Sequence, residues 1–296
     1  MARSHKRHEI ERNGDGTMKY RISPKAVGIM SVAAYVLMIT MNALASILPI
    51  NGLTTADVSY RYGSLFTPAG ITFSIWLVIY LLLLVYTVYQ TGTVWRHTVQ
   101  QAKLIGRINW LYILTCLLNA AWILCWHYEK LLLSLLVMFA LLATLIVIYL
   151  RIRGMLRSVV PRSQSLCVMA PFSAYLGWIT VATLANAATY LISIGWNFWG
   201  LSQVTWTIIL ILATVFITLM IQRYYRDLVF TAVIVWALTG ILIQHITTYK
   251  MSYTLIIVTA VMSIAAVLIG VVLIFSRKKR VRRKAKNLRH SRRKIK

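Results

Sequence analysis

The chain has 296 residues, of which 59% are hydrophobic and 13% charged, and it carries a formal net charge of +26. An ordinary soluble domain is about half apolar and about one-quarter charged, so this composition excludes that class and indicates a membrane protein. No nucleic-acid partner is expected, because 13 of the 32 lysines and arginines lie in residues 277–296 without the interleaved aromatic residues of nucleic-acid sites.

Eight apolar runs follow one another along the chain, and each has roughly the 20 residues that a helix needs to cross the hydrocarbon core of a bilayer. They are residues 26–49, 68–90, 107–127, 131–150, 166–191, 202–221, 229–246 and 252–276. The sequence therefore predicts an all-α, polytopic membrane bundle of eight transmembrane helices.

Lysine and arginine lie almost entirely on one side of these runs. The two tails and every second connector hold 29 of the 32 cations, and the opposite connectors hold only Arg61, Lys130 and Lys250. The positive-inside rule then predicts a multi-pass protein of the cell membrane with both termini cytoplasmic. The basic N-terminal tail (1–25) and the polybasic tail (277–296) would face the anionic cytoplasmic leaflet of the lipid bilayer, which attracts near-surface cations by about 1 kcal/mol each.

The ends of the runs carry further local expectations. Ala43-Leu44-Ala45 resembles a signal-peptide cleavage site, but the apolar stretch is too long for one, so we expect the first run to remain a span. Thr67 and Pro68 are expected to be the N-cap and first residue of the second span. Residues 151–164 are expected to form an interfacial amphipathic turn. Four tryptophans at run ends fit the aromatic belt of a membrane protein: Trp95, Trp126, Trp196 and Trp199.

Ionisable residues avoid the centres of the runs. All six carboxylates lie in tails or loops, and only His127 and His245 come near membrane depth, each at the end of a run. Since intramembrane charges mark proton relays and ion-coupled transport, neither is expected. The three cysteines lie inside runs without metal-ligand spacing and are expected to be buried apolar residues: Cys116, Cys125 and Cys167. No metal or cofactor is expected.

Aromatic and amide side chains share faces on three of the predicted helices, where the aromatic belt does not explain them. The spacing is i, i+3, i+7 on the second and third runs and i, i+3, i+7, i+11 on the fifth. The residues are Phe73, Trp76 and Tyr80, then Asn119, Trp122 and Trp126, then Tyr175, Trp178, Ala182 and Asn186. Such faces serve either tight helix packing or a pocket for a flat apolar ligand, and spacing alone leaves both open.

The segments that carry these residues resemble a known family. Phe66-Thr67-Pro68-Ala69-Gly70 with the following aromatic face resembles the second-helix signature of the tryptophan-rich sensory protein (TspO/MBR, translocator protein) family. Asn119-Ala120-Ala121-Trp122 is similar to its third-helix Asn-x-x-Trp. Pro171, Trp178, Ala182 and Asn186 are similar to its fifth-helix pattern. The family's Pro-Pro pair is Pro68-Ala69 here, and its Pro-Tyr is spread over residues 171–175.

The resemblance covers roughly residues 26–195 and implies a TspO-like five-helix bundle with a pocket for porphyrins, sterols or related flat ligands. We therefore divide the chain into a basic tail (1–25), a five-helix bundle (26–200), three additional helices (201–276) and a polybasic tail (277–296). The bundle is expected to insert and bind ligand without the additional helices. Its ligand-binding residues would be Phe73, Trp76, Tyr80, Asn119, Trp122, Tyr175, Trp178 and Asn186.

The implied function is a receptor or carrier for a hydrophobic small molecule, and not an enzyme. Two alternatives stay open at this point: an uncoupled transporter of small solutes that uses the last three helices, and a porphyrin-degrading enzyme by analogy with the family. A homodimer also stays open, because the sequence does not fix the oligomeric state.

Overall fold

The protein is an all-helical bundle in the computed structural model, which describes residues 23–48, 50–96, 99–156 and 162–294. Within those ranges there are nine α-helices, three short 3-10 helices and no strand. The α-helices are α1 (Pro24–Ile47), α2 (Thr55–Arg61), α3 (Ile75–Arg96), α4 (Val99–His127), α5 (Leu131–Leu156), α6 (Arg162–Ser193), α7 (Gln203–Tyr225), α8 (Leu228–Thr247) and α9 (Thr254–Lys294).

All the α-helices except α2 are long and apolar enough to cross a membrane, with candidate spans of 20 to 28 residues. The predicted polytopic bundle of eight membrane helices is therefore confirmed. Several helices begin where the sequence supplies a side chain for their first free amides. The Ser23 hydroxyl accepts from the Ala26 amide before α1, the Ser202 hydroxyl accepts from the Thr205 amide before α7, and Asp227 caps α8.

The helices are arranged as a five-helix ring with a three-helix group beside it. In the ring α1 packs on α3, α3 on α6, α6 on α5, α5 on α4, and α4 on α1. In the group α8 packs against α6 on one side and against α7 and α9 on the other. The span of α6 is 72% buried and that of α9 22%, so α6 lies at the centre and α9 faces outward, where lipid would surround it.

The segment between α1 and α3 differs from its prediction. The first turn of the second span is a 3-10 helix, Gly70–Ser74, and Thr67 and Pro68 precede it as irregular backbone. The expected N-cap at Thr67 is therefore wrong. The physical reason is tertiary: the Thr67 amide donates to the Ser64 carbonyl at 3.1 Å, and the Ala69 amide donates to the Gly240 carbonyl of α8 at 3.0 Å. We call residues 65–72 the lip.

The short helix α2 was not predicted from the sequence. Its start is fixed by a reciprocal capping box in which the Asp57 amide donates to the Thr54 hydroxyl at 3.2 Å and the Thr54 amide donates to the Asp57 carboxylate at 2.8 Å. These two hydrogen bonds satisfy donors at the end of a helix that is too short to be stable alone. Helix α2 and the lip lie on the side predicted to be external.

The connector 151–164 is shorter than predicted. Helix α5 runs through Leu156 and α6 begins at Arg162, so most of the expected interfacial turn is regular helix. The remaining residues 157–161 lie outside the described ranges, as does the N-terminal tail through residue 22. The backbone of the polybasic tail continues α9 as far as Lys294.

One buried ion pair ties together helix ends on the side predicted to be cytoplasmic. The Asp227 carboxylate accepts hydrogen bonds from Arg153 Nη2 at 2.5 Å, Ser173 Oγ at 2.7 Å and Tyr149 Oη at 3.0 Å. Its other oxygen accepts from the first amides of α8, at Val229 and Phe230. A single carboxylate thus joins α5, α6 and the start of α8.

Candidate ligand-binding pocket

A pocket opens at the predicted external end of the ring, between α3, α4 and α6 and beneath α2 and the lip. It encloses about 480 Å³ of atom-free space, a figure that includes its open mouth. Only about 40 Å³ of this space is open to the centre of a water molecule, so in this conformation the side chains nearly fill it. The lining residues are Thr55, Ser59, Thr67, Pro68, Phe73, Trp76, Trp122, Trp126, Trp178, Val181, Ala182, Ala185, Asn186 and Thr189.

Helical spacing brings the lining residues together. Trp122 and Trp126 are four residues apart on α4, so they share a face and their rings stack at a centroid distance of 6.0 Å. On α6, Trp178, Ala182 and Asn186 follow one another at the same spacing. The small side chain of Ala182 leaves room between the larger two, and this is where the pocket lies.

Trp76 is the centre of the aromatic cluster. Its ring stacks on Tyr80 at 5.5 Å, lies 5.9 Å from Trp122, and meets Tyr175 and Trp178 edge-on at 6.0 and 6.1 Å. Phe73 meets Trp178 edge-on at 6.0 Å. These are favourable geometries for aromatic pairs. One ring therefore connects α3, α4 and α6 across the floor of the pocket.

Three nitrogen donors on lining residues have no hydrogen-bond partner among the described residues. They are Trp122 Nε1, Trp178 Nε1 and Asn186 Nδ2. Their residues are only 4%, 3% and 2% exposed, so water does not reach them freely. Burying such a donor without an acceptor costs about 1–3 kcal/mol. The oxygen of the same Asn186 amide accepts from Ser134 Oγ at 3.2 Å, which fixes the orientation of the amide.

The sequence-predicted residues separate into two layers. Five of them line the pocket: Phe73, Trp76, Trp122, Trp178 and Asn186. The other three, Tyr80, Asn119 and Tyr175, lie behind the lining. Asn119 accepts from Asn42 Nδ2 at 2.6 Å and donates to the Tyr175 hydroxyl at 3.0 Å, so its amide joins α1, α4 and α6.

Other lining residues were not among the predicted ligand-binding residues. The spacing placed Trp126 on the face of Asn119 and Trp122, but its position at a run end was attributed to the aromatic belt. It is buried, and its Nε1 donates to the Thr55 carbonyl of α2 at 3.1 Å. The Thr54-x-x-Asp57 capping box would have indicated α2, which contributes Thr55 and Ser59.

The two histidines at span ends are both buried and bonded to backbone. His127 Nδ1 lies 2.8 Å from the Ile123 carbonyl, one turn earlier on α4. His245 Nε2 donates to the Leu65 carbonyl of the lip at 2.9 Å. Neither lines the pocket. A structural role in holding helix ends accounts for the contacts of both.

Comparison with known proteins gives one result. A family model described as TSPO-like protein matches residues 28–274. The match runs from the first membrane helix into the last, so it also takes in the three C-terminal helices that the motif resemblance did not reach. No curated protein and no solved structure matches the chain.

Proposed function

The chain belongs to the TSPO-like protein family, and we propose that this multi-pass membrane protein binds a flat, largely apolar small molecule in the Trp76 pocket without altering it chemically. The ligand class is a tetrapyrrole or a sterol-like molecule. The protein would act as a sensor or carrier of that molecule.

The observation that carries the proposal is the set of three unpartnered donors on an otherwise aromatic lining. Aromatic faces favour a flat apolar body. The unpartnered nitrogens of Trp122, Trp178 and Asn186 can only act as hydrogen-bond donors. They therefore favour a ligand with oxygen acceptors at its edge. A porphyrin carboxylate, or the hydroxyl or ketone of a sterol, supplies such an acceptor. Binding would remove the cost of leaving the donors unpaired.

The present volume of the pocket implies that side chains or the lip move when the ligand binds. With about 40 Å³ open to water centres, a tetrapyrrole does not fit between the rings as they stand. Rotation of Trp76 or displacement of the lip would provide the additional room for the ligand.

The lining chemistry favours binding over catalysis. Among the described lining residues the reactive groups are threonine and serine hydroxyls, and none has a histidine, carboxylate or lysine beside it in the pocket. General acid–base catalysis and nucleophile activation need such a partner. We therefore propose binding without turnover.

A titration of the purified protein against three probes tests this function, read by quenching of tryptophan fluorescence: protoporphyrin IX, its dimethyl ester and cholesterol. We expect saturable quenching by protoporphyrin IX that cholesterol reduces by competition. An absence of saturable binding for all three probes would overturn the proposal. Time-dependent loss of porphyrin absorbance would instead favour the degrading enzyme, and uptake of the probe into proteoliposomes would favour the transporter.

A further inference from the structure

Of the three C-terminal helices, α8 contacts the wall of the pocket. Helix α8 packs against α6 and against the 3-10 turn Gly70–Ser74, whose first residues belong to the lip. Two glycines allow the close approach. A Cβ at Gly177 of α6 would lie 3.2 Å from Val233 Cβ, and a Cβ at Gly240 of α8 would lie 2.0 Å from Thr72 Oγ1 and 2.8 Å from Thr72 Cβ. Because a contact at Thr72 Cβ is not relieved by side-chain rotation, α8 and the lip fit only when residue 240 is glycine.

Three hydrogen bonds then run from α8 to the lip along its whole length. His245 Nε2 donates to the Leu65 carbonyl at 2.9 Å, and the Ala69 amide donates to the Gly240 carbonyl at 3.0 Å. Trp236 Nε1 donates to the Thr72 carbonyl at 2.9 Å. Residues 65–69 of the lip are buried, irregular backbone, and buried backbone polar groups need hydrogen-bond partners. Helix α8 provides those partners.

The lip also forms one wall of the pocket. Thr67 and Pro68 line it, and Phe73 follows directly after. The Pro68 carbonyl is further held by the Tyr60 hydroxyl of α2 at 3.3 Å. The position of this wall therefore depends on a helix that contributes no residue to the lining.

From this geometry we propose that α8 is a positioning helix that holds the lip closed over the pocket. Gly240, Trp236 and His245 are its positioning residues. The rate at which a ligand enters is set by how firmly α8 holds the lip. The last three helices are then part of the binding device and not an independent unit. The entry rate rests on the proposed function, whereas the position of the lip does not.

Hydrogen–deuterium exchange of the lip in the full-length protein, without ligand, tests the first part. Gly240→Ala forces Thr72 away, and Trp236→Phe removes one hydrogen bond while keeping an aromatic ring. We expect exchange of the lip amides, Ala69 above all, to rise about two- to tenfold, the effect of losing one hydrogen bond. Gly270→Ala is the matched control, because it adds a methyl group in the same helix group, against Gln222 and away from the lip.

The second readout is the rate of fluorescence quenching by protoporphyrin IX. Faster lip exchange and faster quenching in Gly240→Ala and Trp236→Phe, with neither in Gly270→Ala, support the proposal. Unchanged lip exchange overturns it, and so does faster exchange with an unchanged quenching rate. If Gly240→Ala does not fold, Trp236→Phe decides alone. If the parent binds none of the three probes, the proposed function fails and lip exchange still decides whether α8 positions the lip.

Discussion

Arg153 of α5 and Asp227 at the start of α8 form an ion pair of 2.5 Å in which the Asp227 side chain is only 3% exposed and the Arg153 side chain 24%. Arg61 and Glu129 form the second ion pair of the described residues, on the opposite side of the bundle, and there the two side chains are 50% and 22% exposed. The chain thus has one largely buried and one more exposed arginine–carboxylate ion pair.

The difference in burial predicts a difference in stability. Asp227→Asn should lower the free energy of unfolding by about 3 kcal/mol, because it leaves Arg153 partly buried without a counter-charge. Glu129→Gln should lower it by less than about 1 kcal/mol, as is usual for exposed pairs. Thermal unfolding of the detergent-solubilised variants measures both. Equal losses for the two variants would contradict the prediction.

The two intramembrane asparagines should behave in opposite ways. Asn119→Leu removes two hydrogen bonds and leaves Asn42 and Tyr175 without that partner, so it should destabilise the protein by about 1 kcal/mol at the usual ~0.6 kcal/mol for each bond between membrane helices. Asn186→Leu removes an unpartnered donor and only one hydrogen bond, the 3.2 Å bond from Ser134 Oγ, so it should cost less stability than Asn119→Leu and should weaken porphyrin binding. Unfolding and binding per folded molecule are measured on both variants, and the reverse assignment would refute the two-layer description of the site.

Replacing the indole ring of Trp76 with the smaller phenyl ring tests aromatic contact with the ligand. Trp76→Phe should weaken binding of protoporphyrin IX about two- to tenfold, since one aromatic contact is worth about 0.5–1.5 kcal/mol. Trp110→Phe is the control, because Trp110 is on α4 but 45% exposed on its outer face. The measurement is the dissociation constant from fluorescence quenching. An equal effect of the two substitutions would show that quenching reports on the lipid-facing surface.

The orientation of the protein remains a prediction of the charge distribution. A reporter fused after Lys296 should be cytoplasmic, and one inserted near Thr55 should be external, because 29 of the 32 cations lie on the side of the termini. Activity of compartment-specific reporters in intact cells measures each position. An external reporter after Lys296 would reverse the side from which the pocket is reached.

The stability of the first turn of α2 should depend on pH. Hydrogen bonds from the Thr54 hydroxyl and amide hold the pKa of the Asp57 carboxyl below its ordinary value. A carboxyl whose pKa is lowered by folding stabilises the folded form above its ordinary pKa, and that contribution is lost as the pH falls through the lowered value. Amide exchange in α2, corrected for intrinsic rates, should therefore rise below about pH 4. Asp57→Asn should abolish that rise, and a rise of the same size in this variant would exclude Asp57 as its cause.

The sequence predicted the membrane helices well because length, hydrophobicity and the charge of connectors are local properties. It also predicted five of the lining residues, since Phe73, Trp76, Trp122, Trp178 and Asn186 follow helical spacing. Helical spacing does not distinguish the pocket-lining face from the next layer inward. This is why Asn119, which bonds Asn42, was placed with the ligand.

Contacts between distant segments were beyond the reach of sequence patterns. The second span begins at Gly70 and not at Pro68 because the Ala69 amide finds its acceptor on α8. Trp126 was left out of the predicted ligand-binding residues because the position of α2, which covers it, depends on tertiary packing. The expectation that residues 26–200 suffice for binding stays untested, but the bonds from α8 to the lip favour a requirement for the whole chain.

The bonds between α8 and the lip also have a consequence for biosynthesis. The Leu65 carbonyl and its partner His245 are 180 positions apart in the chain. At about 5–20 residues per second, a ribosome needs about 9–36 s to cover that distance. During this interval the first five membrane helices can already be inserted while the Leu65 carbonyl lacks its donor, His245 Nε2, and the Ala69 amide lacks its acceptor, the Gly240 carbonyl. Maturation of the pocket wall is therefore a late step, and a ribosome that stalls before α8 would leave a nascent chain with an incomplete site.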